Sequence, residues 1–314
     1  MYTISPSVEQ FFEAAKPKER VAATIAAIKE CRRPKPNPDI VARLSGWGSI
    51  KSVIWDDDKH PILKAEMEEL LTEYEKECAK TGTFWSFHTS FEVIRYIWEL
   101  VQLTGFDGGR IIDAGCGSGH FFGCMPDFGE SSELWGVEID PTPYKICEAL
   151  YGNQVNIANV DFRKFKMPKG YFDLMIGNVP FGDAKIYDDD VYRGGLSIHN
   201  YFLAKGISLL RPGGLIAIVT SSFTMDNRDA TFRDWLASQA DLIDITPLTD
   251  TTFKSFANTE VCADILIFKK LENKRRVDWL PADCHWTKTV EVGIEDEDED
   301  VRMNQAIAEA FDLA

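Results

Sequence analysis

The chain has 314 residues, 45% hydrophobic and 27% charged, with a formal net charge of −16. That composition excludes wholesale disorder, a collagen-like polymer and a small disulfide scaffold, and no apolar run reaches the ~20 residues of a membrane helix. Seven cysteines are scattered without a CxxC pair, so neither a zinc site nor a disulfide framework is indicated.

Met1 to Pro6 lacks the charged-then-apolar layout of a signal peptide, so a cytoplasmic location is expected. Phe11, Ala15, Val21, Ile25 and Ile28 recur near helical spacing and predict a helix within the first 33 residues. The prolines of Pro34-Lys35-Pro36-Asn37-Pro38 end it. The first 40 residues carry seven basic and five acidic side chains, a weak excess near Arg32-Arg33-Pro34-Lys35 that reads as a solvated linker. Gly46-Trp47-Gly48 reads as a turn or a packing point. A second helical patch is predicted over 61–80, with Leu63, Met67, Leu70, Leu71 and Tyr74 as its apolar face.

From residue 90 strands and helices alternate. Helices are predicted over 93–103, up to 122, and over 143–151, 199–210 and 231–240. Strands are predicted over 110–114, 134–139, 155–160, 172–176, 215–220, 242–246 and 263–269. Arg211-Pro212-Gly213-Gly214 reads as a helix stop. Tyr187 to Gly195 reads as a mobile loop on the substrate side. Such alternation predicts an α/β fold with a seven-stranded, mostly parallel sheet, helices on both faces, and a helical N-terminal extension. The expected divisions are 1–85 for the extension, 86–272 for the catalytic domain and 273–314 for an acidic C-terminal segment. From Glu291 onward nine acids and one arginine contribute −8, centred on Glu295-Asp296-Glu297-Asp298-Glu299-Asp300. That run reads as a solvated tail or linker, with a partner contact or a DNA mimic as the sharper alternative. The remaining −8 disfavours strong nonspecific DNA binding without excluding a local basic groove.

Four motifs carry chemistry. Asp113-Ala114-Gly115-Cys116-Gly117-Ser118-Gly119-His120-Phe121 follows a strand and opens a helix. Gly115, Gly117 and Gly119 let the backbone approach a ligand, and the helix start offers free N–H groups. The spacing is G-x-G-x-G, not the dinucleotide pattern, and Asp113 would repel a pyrophosphate. It suits a cationic amino group, such as the methionine part of S-adenosylmethionine. Gly136-Val137-Glu138-Ile139-Asp140 puts a carboxylate at a strand end 25 residues after Asp113, where it can accept from both ribose hydroxyls or cap a helix. In Asn159-Val160-Asp161-Phe162 an acid and an aromatic can bind an adenine amine and cover its ring; a turn Asp beside a core Phe fits as well. In Gly177-Asn178-Val179-Pro180-Phe181-Gly182 an amide oxygen and a main-chain carbonyl can accept the two hydrogens of a planar amino group while Phe181 stacks on its ring. Cys116 and Cys124 read as small buried residues, and His88, His120 and His199 as local hydrogen-bonding or packing groups. The three aspartates of Asp188-Asp189-Asp190 lack a matching metal-ligand set.

In this order the motifs resemble the amino-group DNA methyltransferases, whose fourth motif usually has Pro where Val179 stands. The resemblance is closer to the adenine-specific methylase domains of large phage and plasmid proteins, often fused to a Swi/Snf-type helicase and related to antirestriction proteins. It covers about residues 40 to 270. It rests also on Leu44-Ser45-Gly46-Trp47-Gly48, Phe87-His88-Thr89-Ser90, Gly182-Asp183, Ser197-Ile198-His199-Asn200-Tyr201-Phe202, Arg211-Pro212-Gly213-Gly214 and Asn258-Thr259-Glu260-Val261. Phe87 to Ser90 stands where the family has Tyr-Thr-Pro.

The resemblance implies a Rossmann-like S-adenosylmethionine-dependent methyltransferase acting on the adenine amino group in DNA, in a restriction-modification or antirestriction setting. It implies Asn178, Val179, Pro180 and Phe181 as catalytic. It implies His88, Thr89, Asp113, Gly115, Gly117, Gly119, Glu138, Ile139, Asp161 and Phe162 as cofactor-binding, with no metal. Phe253 or Phe256 could cover the second face of the base, although a core role fits either better. Such enzymes usually add a target-recognition domain after the last strand. Here about 45 residues follow Lys269, acidic on balance, so specificity is expected from the N-terminal region, from a partner such as a helicase, or hardly at all. An RNA or protein-glutamine methyltransferase and a catalytically silent partner module are the alternatives.

Overall fold

The computed structural model describes residues 1–55, 60–84, 86–128, 132–182, 184–248 and 263–274. Seven helices come first: α1 (Pro6–Ala14), α2 (Pro17–Cys31), α3 (Pro38–Val41), α4 (Trp47–Ile54), α5 (Pro61–Leu70), α6 (Glu73–Gly82) and α7 (Phe91–Leu103). Two expected helices are each divided. Ala15 and Lys16, ahead of Pro17, take extended backbone, as the residue before a proline does. Thr72 and Glu75 form a reciprocal cap that starts α6 afresh. That second break turns Tyr74 out to 62% exposure, away from the apolar face expected of it. Gly46-Trp47-Gly48 is the start of α4 and not a turn, with Gly46 as its N-cap.

The alternating part runs β1 (Arg110–Ala114), α8 (His120–Gly123), β2 (Glu133–Glu138), α9 (Pro141–Tyr151), β3 (Val155–Asn159) and β4 (Phe172–Asn178). It continues with β5 (Lys185–Asp188), β6 (Tyr192–Ser197), α10 (Ile198–Leu209), β7 (Leu210–Ser221), α11 (Phe223–Asp226), α12 (Thr231–Ala237), β8 (Ala240–Leu248) and β9 (Ala263–Lys270). Seven strands form one sheet in the order β3-β2-β1-β4-β7-β9-β8. The pairs from β3 to β7 are parallel, and β9 runs antiparallel to both of its neighbours. Alternate strand residues divide the core. Ile111, Leu174, Ile176, Ala217 and Ile265 pack with α1, α7 and α8, whereas Ile112, Met175, Ile216, Ile218 and Leu266 pack with α10 and α12. The expected seven-stranded sheet, mostly parallel with helices on both faces, is the one found.

Two segments depart from expectation. Arg211-Pro212-Gly213-Gly214 does follow the end of α10, but it lies inside β7, which begins at Leu210 and not at 215 and pairs there with Phe172 across a bulge. The expected mobile loop is a hairpin, β5 with β6, in which Tyr187 faces Gly195 and Asp188 Oδ2 accepts from Tyr201 Oη at 2.8 Å. The helices α2, α4, α5 and α6 share a core of their own that reaches the sheet layer through Ile146 of α9. Lys145 on α9 pairs with buried Glu75 at 2.6 Å. No helix among the described residues is long and apolar enough to cross a membrane.

Candidate active site

The carboxyl ends of β1, β2, β3 and β4 lie along one edge, and chain order reverses between β1 and β4. Such a reversal opens a crevice where ligands of open α/β sheets bind. Three of the four sequence motifs leave β1, β2 and β4 at that edge, and the fourth follows β3.

The glycine-rich loop after β1 is tied to β2, since Gly115 and Cys116 donate to Val137 O at 2.7 and 3.0 Å. Its glycines do different things. A Cβ on Gly117 would meet nothing within 4 Å, so the loop faces open space there. A Cβ on Gly119, where φ is +83°, would come within 2.7 Å of the Tyr151 ring and 2.8 Å of Cys147 Sγ. Gly119 therefore lets the loop lie directly on α9. Cys116 is 6% exposed, and its hydrogen bond to Cys147 together with burial pushes its thiol well up, so it is no thiolate nucleophile.

Two carboxyls stand beneath this loop. Asp113 is 1% exposed, and neither of its oxygens has a hydrogen-bond partner among the described residues. Burial, and then the charge of Glu138, push it well above the usual carboxylate range. Glu138 accepts from Gly117 N and Asp140 N, each at 2.8 Å, and burial followed by Asp140 raises it to about 7. The arrangement is short of positive charge. A cationic group beside Asp113 would supply the missing partner and favour the ionised form.

Asn178 ends β4 beside the glycine-rich loop. A Cβ on Gly115 would lie 3.9 Å from Asn178 O and from Pro180 Cδ. Asn178 is half-buried, and its Nδ2 donates to Thr89 Oγ1 at 3.0 Å. Val179 is buried, and its N–H donates to Val219 O of β7 at 3.1 Å. A proline could not make that bond, so β7 supplies by pairing the rigidity a second proline would supply through its ring. Phe181 is half-buried against both faces of the core.

The remaining site residues are distributed unevenly. Ile139 is 52% exposed next to Glu138, an apolar surface open at the crevice. Asp161 turns its carboxylate to Arg163, accepting from its backbone N at 2.8 Å and Nε at 2.7 Å. Phe162 departs from expectation: it is 4% exposed and packed on Phe202 at 4.8 Å, so its ring belongs to the core. His88 departs too. Its ring stacks on Phe12 at 3.9 Å, with Nδ1 3.2 Å from His120 Nδ1. Burial pushes both imidazoles down, His120 to about 4, so neither is a proton carrier near neutrality. His199 lies 3.0 Å from Ser197 Oγ, in a packing role.

Lys205, unmarked by any motif, is a buried residue of α10 whose Nζ donates to the carbonyls of Phe162, Arg163 and Phe165. It fastens the turn that carries Asp161. A lone lysine in the apolar run of 198–209 was the available signal. Trp47, 1% exposed, donates to Asp140 Oδ2 at 2.7 Å while Asp140 Oδ1 caps α9. Groups of acidic, histidine or cysteine side chains able to hold a metal are absent among the described residues. Phe253, Phe256, Asp183, the stretch Asn258-Thr259-Glu260-Val261 and the acidic C-terminal run lie outside those residues.

Comparison with known proteins places this geometry among relatives. The family model described as N-6 DNA Methylase matches residues 60–301. Defense against restriction protein B of Escherichia phage P1 is 24% identical over 212 residues, covering 66% of this chain and 9% of that protein. The chain thus spans less than a tenth of the phage protein's length. An rRNA N(6)-adenosine-methyltransferase of Caenorhabditis elegans is 27% identical over 199 residues, covering 60% of this chain and 88% of that protein. A Listeria monocytogenes structure assigned to the class I S-adenosylmethionine-dependent methyltransferases aligns with a TM-score of 0.55 at 16% identity, covering 94% of this chain and 99% of that one.

Proposed function

The chain belongs to the N-6 DNA methylase family, a family of S-adenosylmethionine-dependent methyltransferases, and from that premise we propose that it methylates the exocyclic amino group of adenine in DNA. The observation that carries the proposal is the half-buried Asn178 amide at the end of β4, next to the glycine-rich loop and to the Asp113 carboxylate, which is unpartnered among the described residues.

The residues present fit the cofactor. Asp113 takes the amino group of its methionine part, which gives a buried carboxylate the cation it lacks. Glu138 takes the ribose hydroxyls with the lone pairs not used by Gly117 N and Asp140 N. Ile139 covers one face of the cofactor's adenine, and Asp161 receives its amine from the turn that Lys205 fastens. The bound cofactor supplies an electrophilic sulfonium methyl.

The protein's part is then orientation. The lone pair of an adenine amino nitrogen is delocalised into the ring, which makes it a poor nucleophile. Asn178 Oδ1 and the main-chain carbonyl of Val179 accept its two hydrogens, favour a more pyramidal nitrogen and aim it at the methyl. Pro180 fixes the backbone between them and Phe181, which stacks on the base. In duplex DNA the base must first leave the stack, at a cost of about a few kcal/mol.

The test is transfer of radiolabel from S-adenosylmethionine to unmethylated single- and double-stranded DNA, with nucleoside analysis. Label in methyladenine supports the proposal. A second reading, adenine in RNA, is favoured by the rRNA methyltransferase relative, whose length this chain covers to 88%. Label that enters RNA and not DNA would replace the first reading with the second. A helicase or specificity subunit is the partner proposed to bring sequence selectivity.

A further inference from the structure

We infer that Thr89 is a positioning residue that anchors the Asn178 amide so that its free end meets the substrate; the inference rests on the amino-group reading proposed above. An asparagine amide can seat in two ways, exchanged by a half-turn that swaps its oxygen and its NH2. With the oxygen toward the substrate, it accepts an amino hydrogen. With the NH2 toward the substrate, donor faces donor and the amino nitrogen is not activated. Thr89 Oγ1 accepts from Asn178 Nδ2 at 3.0 Å, the seat that leaves Oδ1 for the substrate; the hydroxyl, able to accept or donate, fixes the amide in place and the substrate's amino hydrogens select the oxygen.

The segment that carries Thr89 is itself held by the N-terminal helices. Thr89 is 8% exposed. On one side of it, Gly48 N donates to Ser86 O at 2.9 Å. A Cβ on Gly46 would lie 2.3 Å from Ser86 O, and one on Gly48 2.2 Å from the Phe87 ring, so only glycines let α4 come this close. Immediately before Thr89 the His88 ring stacks on Phe12 of α1 at 3.9 Å and 16°. Immediately after it Ser90 Oγ caps α7 by accepting from Val93 N at 3.3 Å. The segments Leu44-Ser45-Gly46-Trp47-Gly48 and Phe87-His88-Thr89-Ser90 are thus one seat, which joins the N-terminal helices to the Asn178 amide through Thr89.

Thr89→Val keeps the side-chain shape and removes the oxygen, Thr89→Ala removes it by another route, and Thr89→Ser restores it. Two readouts test the role. In 15N-labelled protein the side-chain NH2 signals of Asn178 are identified by their loss in Asn178→Asp. They should exchange slowly with water in the wild type and in Thr89→Ser, and fast in Thr89→Val and Thr89→Ala. In turnover, the valine and alanine variants should lose about tenfold or more in kcat, on the order of one hydrogen bond. KM for nucleic acid should stay within about twofold, and Thr89→Ser should recover most of the rate. Unchanged exchange of the Asn178 NH2 in both oxygen-free variants would overturn the inference. So would a raised cofactor Kd with unchanged kcat, which would make Thr89 a cofactor contact. A wild type that methylates no nucleic acid would defeat the proposed function, and the exchange measurement would still decide this one.

Discussion

Gly177 and Asp113 stand on neighbouring strands so close together that a Cβ on Gly177 would lie 2.3 Å from Asp113 Oδ1. The residue before Asn178 is therefore the floor under the buried carboxylate. Its φ of +145° is itself costly for any side chain but glycine's. Gly177→Ala should lower stability by about 1–3 kcal/mol through strain and overpacking, and weaken cofactor binding because Asp113 must move. Thermal melts of Gly177→Ala, Asp113→Ala and the double variant check the contact. The double variant should melt above the sum of the two losses, since removing the carboxylate removes the clash. Simple additivity would count against the contact.

Asn178→Ala should abolish methyl transfer, by about a hundredfold or more, because it removes an acceptor needed only when the amino group is being activated. Cofactor affinity should change little. Single-turnover labelling and calorimetric titration of S-adenosylmethionine separate the two effects. Turnover equal to wild type would remove the amino-group assignment.

Glu138 makes stability depend on pH in a direction that can be worked out. Burial, then Asp140, raise its carboxyl from 4.5 to about 7 in the folded chain. A group raised on folding contributes stability that is fully present below pH 4.5 and is lost as the pH rises through 7. Over that window the loss is on the order of 3 kcal/mol, at about 1.4 kcal/mol per pKa unit. Asp113 and Asp140, raised too, add to it with the same sign. Denaturant unfolding of the cofactor-free protein at pH 5 and pH 8 should show the wild type losing more stability than Glu138→Gln. Equal losses would mean that Glu138 does not titrate in this range.

Lys205→Met should destabilise by about 1–3 kcal/mol, because three carbonyls of the turn after β3 lose a common donor within the core. Asp161 rides on that turn, so cofactor affinity should fall with it. A Lys205→Met variant that melts and binds as the wild type does would make the lysine a bystander.

Legibility followed locality. The β1, β2 and β4 motifs were readable because each couples a short apolar strand to turn chemistry at its end, and Arg110 to Ala114 came out to the residue. The helix break at Thr72 was written in Thr72 and Glu75, yet the charged, evenly spaced run around it reads as continuous helix. The hairpin of β5 and β6 is rich in aspartate and glycine, which reads as loop; Tyr201, a distant partner of Asp188, pins it. Phe162 and Ile139 each sit beside an acid, and only tertiary packing sends one into the core and leaves the other open. The seat around Thr89 joins residues about 40 and 90 positions apart, Gly48 to Phe87 and Thr89 to Asn178, and no periodicity encodes such pairings.

The placement of β9 constrains how the molecule can be made. It lies between β7 and β8 and is the last of the three to be synthesised. While residues 263–270 are still inside the ribosome, β8 has no partner and β7 presents a bare, apolar edge. The crevice strands β1 to β4 can pair earlier, but β8 joins the sheet only once Ala263–Lys270 has emerged to pair with both it and β7. Until then the exposed β7 edge is open to pairing with another nascent chain, so translation speed across this stretch should govern the yield of folded protein.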